Sequence, residues 1–211
     1  MTLSTCRILA LVTGILFFSF NAVADDFDII RKRVVAEIMK VPVNDASVAD
    51  ILKRMRPDGS FNDINYDDLS RTAGFPHRRH TGDLVYLARA WKTSGSRYFK
   101  SKELKERITT SLRYWVDHDY IGDNWHDNQI STPTNLVTLM LIAGNDLPKD
   151  LINKDQPIIG RAHMNASGAR PSGDRIVIAG ILARNLLFLG NKTEFDNIIR
   201  LIEGEIKFNT G

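Results

Sequence analysis

Apolar residues return every three to four positions along almost the whole chain, a spacing that builds helices and cannot line one face of a strand. FDIIRKRVVAEIMK sets Phe27, Ile30, Val34 and Ile38 on one side, and DASVADILKRM repeats the stripe with Val48, Ile51, Leu52 and Met55. In GDLVYLARAW, for which Thr81 is read as the N-cap, the stripe is Leu84, Leu87, Ala88 and Trp91. ELKERITTSLRYW aligns Leu104, Ile108, Leu112 and Trp115. Thr132 followed by Pro133 reads as an N-cap with proline at the first helical position, opening PTNLVTLMLIAG, which Gly144 closes. A long apolar helix is expected from Asp174 to Gly190, and Thr193 is read as the cap of EFDNIIRLIEG. No segment alternates convincingly with period two; GEIKFNTG at the end reads as one strand or a frayed exit. The fold class expected is all-α. Long connections rich in turn residues separate the helices, the pattern of an α/α toroid or solenoid, and no exact repeat marks a regular array.

The first residues follow another logic. Arg7, an apolar run from Ile8 to Phe20 and the small residues Ala22-Val23-Ala24 have the layout of a signal peptide cleaved after Ala24. The run is short for a membrane span of roughly 20 residues, so no span is expected after cleavage. Residues 25–211 then form one domain that must rely on its core, because the single cysteine, Cys6, leaves with the leader. Removing Arg7 from the 28 basic residues leaves 27 against 25 acidic, a balance that does not mark a nucleic-acid binder. The expected location is secreted or periplasmic.

The densest chemistry lies in DNWHDNQISTPTNL, residues 123–136. An indole, an imidazole and the carboxamides of Asn124, Asn128 and Gln129 stand together just ahead of an apolar run. From the residues alone two readings stay open: a carbohydrate site with Trp125 as its flat face, or a core tryptophan beside a solvated loop and N-cap. HRRH (77–80) pairs two histidines with two arginines, and solvation of a helix entry is the simpler reading. His118 and His163 read as lone loop histidines, and the tyrosines as packing residues. No metal site is expected, because no cysteine or carboxylate set completes one, and no cofactor motif is present. There is no nucleophile elbow, phosphate loop or paired-carboxylate signature.

Three segments, RPDGSFNDINY (56–66), NWHDNQISTPTNL (124–136) and SGARPSGDRIVIAG (167–180), resemble successive landmarks of polysaccharide lyase family 8, the chondroitin, hyaluronate and xanthan lyases. The wording around RPSGDRI looks most like the chondroitin sulfate ABC branch. The resemblance implies the N-terminal part of an α/α toroid of antiparallel helix pairs, and an acidic glycosaminoglycan as partner. It also implies β-elimination at a uronic acid. That reaction must neutralise the uronate carboxylate, stabilise the charge that develops on it, and supply a base and an acid.

By that resemblance the substrate-binding residues are Trp125, His126, Asn128, Gln129 and Arg170. Trp125 would stack on a sugar ring, while Asn128 and Gln129 would hydrogen-bond its hydroxyls or carboxylate. His126 stands where family members often carry a second tryptophan, and Arg170 where several place an asparagine; a guanidinium can grip a uronate or sulfate bidentately. The catalytic residues are left unassigned, because the family's His, Tyr and Arg stretch is expected beyond Gly211. The chain thus reads as an incomplete toroid that invites a partner chain, and as inactive by itself. The alternative function is a non-catalytic helical module that binds an acidic glycan or a partner protein. The Ala22-Val23-Ala24 site makes one expectation directly measurable: N-terminal sequencing of exported protein should read DDFDII, and a product retaining Met1 would remove the export reading.

Overall fold

Helices with apolar stripes are stable only when the stripes meet, and here they meet around one helix. The computed structural model describes residues 26–171 and 173–205. The leader expected at 1–24 and the last residues of GEIKFNTG lie outside them. The helices are α1 (Asp26–Ile38), α2 (Asp45–Arg54), α3 (Arg78–Lys92), α4 (Lys102–His118), α5 (Thr132–Ala143), α6 (Lys149–Ile159), α7 (Gly173–Leu189) and α8 (Lys192–Glu205). No strand occurs among the described residues; a single backbone bridge joins Met55 and Phe61. Helix α5 contacts α1, α3, α6 and α7, and α3 in turn rests on α2 and α4. Leu136, Val137, Leu139 and Met140 of α5 are buried together with Leu84, Leu87 and Trp91 of α3 and Leu104, Ile108, Leu112 and Trp115 of α4. The stripes read from the spacing in α3 and α4 are therefore the core. A smaller cluster joins Phe27 of α1 to Ala183 and Leu187 of α7 and Phe195 of α8, with the Phe27 and Phe195 rings edge to face at 5.3 Å.

Helix entries depart from the sequence reading in one consistent direction. Helix α3 begins at Arg78, so Thr81 lies inside its first turn and its hydroxyl donates to the Arg78 carbonyl at 3.0 Å. Helix α8 begins at Lys192, and Asn191, not Thr193, accepts from the Glu194 amide at 3.2 Å. A threonine hydroxyl can bond back to the preceding turn as readily as it caps the next one, so Thr alone misplaces a helix start.

Local turns tie the first loop down. In the Pro57-Asp58-Gly59-Ser60 turn, Asp58 accepts from the Ser60 amide at 2.9 Å and its hydroxyl at 2.7 Å. Gly59 has φ +92° and lies against the α4 backbone, where a Cβ would sit 2.6 Å from the Thr110 carbonyl oxygen. Only glycine meets both demands.

The histidines of HRRH do not solvate the helix entry. His77 and His80 are both 0% exposed. The Tyr66 hydroxyl lies 2.7 Å from His80 Nδ1 and accepts the Phe61 amide at 3.1 Å, while His80 Nε2 meets the Ser111 carbonyl at 3.1 Å. His118 is likewise not a loop residue; it ends α4 and stacks on Tyr114 at 4.2 Å. This aromatic block locks the 56–66 loop to α3 and α4. Burial holds the His80 imidazole down at about 3 and pushes the Tyr66 phenol up, so both stay neutral.

The long apolar helix appears as expected at α7, with an uncovered side: Val177 is 45% and Leu189 51% exposed. Inside, Asp155 of α6 is fully buried with neither carboxylate oxygen hydrogen-bonded, and burial pushes its carboxyl up to about 8. The folded state therefore keeps a proton that the unfolded chain, with an ordinary value near 3.8, has lost. Its favourable contribution is complete below that value and is lost as pH rises through about 8. His80 acts oppositely, costing stability as pH falls from 6.5 towards 3. Between pH 6.5 and 8 only Asp155 of the two titrates. Lowering pH across that window should raise the stability from denaturant titration by up to about 1.4 kcal/mol per pH unit. Asp155→Asn should flatten that slope, and a slope unchanged in the variant would contradict this assignment.

Candidate functional site

The 123–136 segment is not a loop ending in a capped helix. Residues 125–143 run as one helix, of which Asp127–Ser131 is a π-helical turn. Thr132 is consequently an interior residue, and its amide reaches back to the Asp127 carbonyl. The reason lies one position on. Pro133 has no N–H to donate and its ring would strike the carbonyl four residues earlier in a regular α-helix, whereas a widened turn relieves both. Proline here marks a bulge inside a helix, where the sequence reading made it a start.

Trp125 opens this run and is half-buried, with His126 exposed beside it, the two rings 5.6 Å apart. Asn128 and Gln129 project from the π turn in two directions. Asn128 clamps the preceding loop: its Oδ1 accepts from the Gly122 amide at 3.0 Å and its Nδ2 donates to the Gly122 carbonyl at 2.7 Å. Gln129 clamps the following loop: its Oε1 accepts from the Gly168 amide at 2.9 Å, and its Nε2 donates to Ser167 Oγ at 2.9 Å. The helical run from Trp125 and the loop around Ser167 and Gly168 thus share one rim. Arg170 is exposed on the same loop, two residues beyond Gly168. His163 is exposed earlier on it.

The sequence reading missed two contributors. Asp127 is buried, and its charge faces the half-exposed Arg78 guanidinium at 3.7 Å. Gly168 lies directly against the six-membered ring of Trp125. The run Ala166-Ser167-Gly168-Ala169 was the available signal, since consecutive small residues let a backbone approach another group closely. Beside the π turn opens a cavity of about 630 Å³ lined by Arg78, Arg79, Ser131, Thr134, Asn135 and Val177. Ser131 Oγ also lies 3.3 Å from His126 Nδ1, which joins the cavity to the Trp125 rim. Arg79 is shared with Asp63, whose carboxylate is 3.0 Å away and whose backbone carbonyl accepts at 2.7 Å.

Among the described residues no cluster of His, Cys, Asp or Glu is arranged to hold a metal ion. Tyr66 and His80 are a hydrogen-bonded tyrosine–histidine pair, but they are sealed in the core and held neutral, so they carry the fold and not proton transfer.

The family model described as polysaccharide lyase family 8, N-terminal alpha-helical domain, matches residues 21–166, more than half of the chain. The chain belongs to polysaccharide lyase family 8. This lyase-family chain is 30% identical over 154 residues to chondroitinase-AC of Pedobacter heparinus, a match covering 68% of the chain and 22% of that relative. Its fold resembles that of a chondroitinase AC lyase solved with oligosaccharides, at TM-score 0.76 and 23% identity over 86% of this chain and 27% of the other. A xanthan lyase from Paenibacillus matches at TM-score 0.67 and 17% identity, over 86% of this chain and 19% of the other. The architecture is that of part of an α/α toroid of antiparallel helix pairs. The chain spans about a fifth to a quarter of the length of these relatives. They bear AC and xanthan names, so the ABC branch expected from the 170–176 wording gains no support from them.

The clamp geometry has a measurable consequence in this lyase-family chain. Asn128→Ala removes both bonds to Gly122 and should lower unfolding free energy by about 1–2 kcal/mol in denaturant titration. A change below the error of that titration would show that the loop is held by other contacts.

Proposed function

We propose that this chain is the helical, substrate-gripping part of an exported lyase that cleaves an acidic glycosaminoglycan of the chondroitin or hyaluronan type by β-elimination. The observation that carries the reading is the half-buried Trp125, held at a rim between two clamped loops and next to an arginine-lined cavity. An indole edge fixed by protein leaves ring surface for a sugar, and stacking on such a surface is apolar and tolerant of the sugar's hydroxyl pattern. The relatives named for chondroitin and xanthan substrates support an acidic polysaccharide as the class.

In this reading His126 extends the rim as a polar neighbour of the indole. Asn128 and Gln129 hold the flanking loops through Gly122, Ser167 and Gly168, which frames the indole. Arg170 meets a uronate carboxylate or a sulfate, and Arg78 adds positive charge at the cavity mouth while balancing the buried Asp127. In this reading the chain grips the substrate and supplies neither the base nor the acid of the elimination. Further helices or a partner chain would cover the Ile176 and Val177 side of α7. No helix among the described residues is long and apolar enough to cross a membrane. The reading takes residues 1–24 as an export signal, with the periplasm or the outside of the cell as the destination.

The reading is tested by calorimetric titration of the chain with chondroitin sulfate and hyaluronan. Trp125→Ala should weaken binding by about 1–3 kcal/mol, with base–aromatic stacking as the nearest calibrated analogue. Arg170→Ala should cost more at low ionic strength, because an exposed guanidinium–anion contact is screened by salt. Equal affinity for a folded Trp125→Ala variant and the parent would sink the platform.

A further inference from the structure

We propose that Gly168 and Gln129 are positioning residues that set the Trp125 indole as the sugar platform, and that Gln129 does so by holding the 163–171 loop and not by reading the sugar. This rests on the reading of Trp125 given above and adds how its ring is fixed.

A Cβ on residue 168 would lie 2.1 Å from Trp125 Cζ3, 2.5 Å from Cε3 and 3.0 Å from Cη2. Those atoms belong to the edge of the six-membered ring. Any residue other than glycine must push the indole away or lift the loop, because the ring is rigid and cannot yield as the end of a flexible side chain would. The φ of Gly168 is not in the left-handed region, so the requirement is for space alone.

Close approach does not by itself hold a loop in place. Gln129 supplies the hold. Its carbonyl accepts the Gly168 amide at 2.9 Å and lies 3.3 Å from the Ser167 hydroxyl, and its amide nitrogen donates to Ser167 Oγ at 2.9 Å. Gln129 follows Trp125 by four residues on the same helical run, so the two side chains leave neighbouring positions of one face. The loop is thereby drawn onto the ring by the residue next to it. Asn128 does the same for the loop on the other side through Gly122. Asn128 and Gln129 are therefore committed to the two flanking loops, and the indole between those loops is left to meet a ligand.

Tryptophan fluorescence isolates the effect. Trp91 is 7% and Trp115 0% exposed, so emission that acrylamide can quench reports Trp125. The chain is compared with Gly168→Ala, Gln129→Ala and Gln129→Glu, each checked by far-ultraviolet circular dichroism, and titrated with chondroitin sulfate oligosaccharides. Gly168→Ala and Gln129→Ala should both increase quenching. Affinity should fall by about tenfold in Gly168→Ala, with a smaller fall in Gln129→Ala and Gln129→Glu within about twofold of the parent. The glutamate rescues because it still accepts the Gly168 amide and the Ser167 hydroxyl.

If Gly168→Ala does not fold, the Gln129 pair carries the test. Parental quenching and affinity in both alanine variants would overturn the proposal. So would a Gln129→Glu variant as weak as Gln129→Ala with quenching unchanged, since that pattern places the Gln129 amide on the sugar itself. Should Trp125→Ala leave affinity untouched, the platform reading falls, and the quenching comparison still decides whether residues 129 and 168 set the ring.

Discussion

Helix α5 is apolar on almost every side, and burying it is the constraint on which the rest of the structure depends. A helix with only one apolar stripe can lie on a surface, but one this apolar must be surrounded. Helices α1, α3, α6 and α7 surround it, and Leu136, Leu139 and Met140 are closed off from solvent as a result. Without a cysteine among residues 25–211, this burial and the aromatic block around Tyr66 and His80 supply the cohesion a disulfide would otherwise add. Truncating a buried leucine of this kind costs about 2–5 kcal/mol, a large share of the stability of a typical domain.

The candidate site is built on the entry to that same helix. Pro133 forces a widened turn just before the buried portion, and the turn aims Asn128 and Gln129 outward at loops on either side. A tryptophan on a rigid, buried helix, flanked by loops bonded to that helix, is held more firmly than one carried by a loop alone. The cavity lined by Arg78 and Arg79 opens off the same turn, so the apolar platform and the positive charge share one support. The buried Asp127 facing Arg78 tempers that charge, leaving a cleft that is mixed in sign.

The sequence showed more of the scaffold than of the site. The stripes of α3 and α4 translate directly into core because period and burial are the same fact stated twice, whereas the segments carrying the family resemblance divide: 56–66 packs into the aromatic block, and residues of 124–136 and 167–170 meet at the rim. Helix entries were less legible. Thr81, Thr132 and Thr193 all resembled caps, yet a hydroxyl that can bond forward or backward along the chain does not say which. The charged appearance of HRRH concealed two core histidines, since a histidine pairs with Tyr66 or with the backbone only if distant segments bring those partners to it.

By itself, then, the sequence determined the all-α class and the residues of the α3 and α4 core stripes, because both depend on spacing along one chain; in α1 the stripe is only partly core, with Ile30 exposed. The tertiary structure alone decided what the carboxamides do. Asn128 and Gln129 could equally have faced a sugar, and only the arrival of Gly122 from one side and Gly168 from the other turned them into clamps. The same holds for Asp155, whose carboxyl is an ordinary surface group in the sequence and a neutral acid in the fold, because packing of its surroundings removed the water that would have kept it charged.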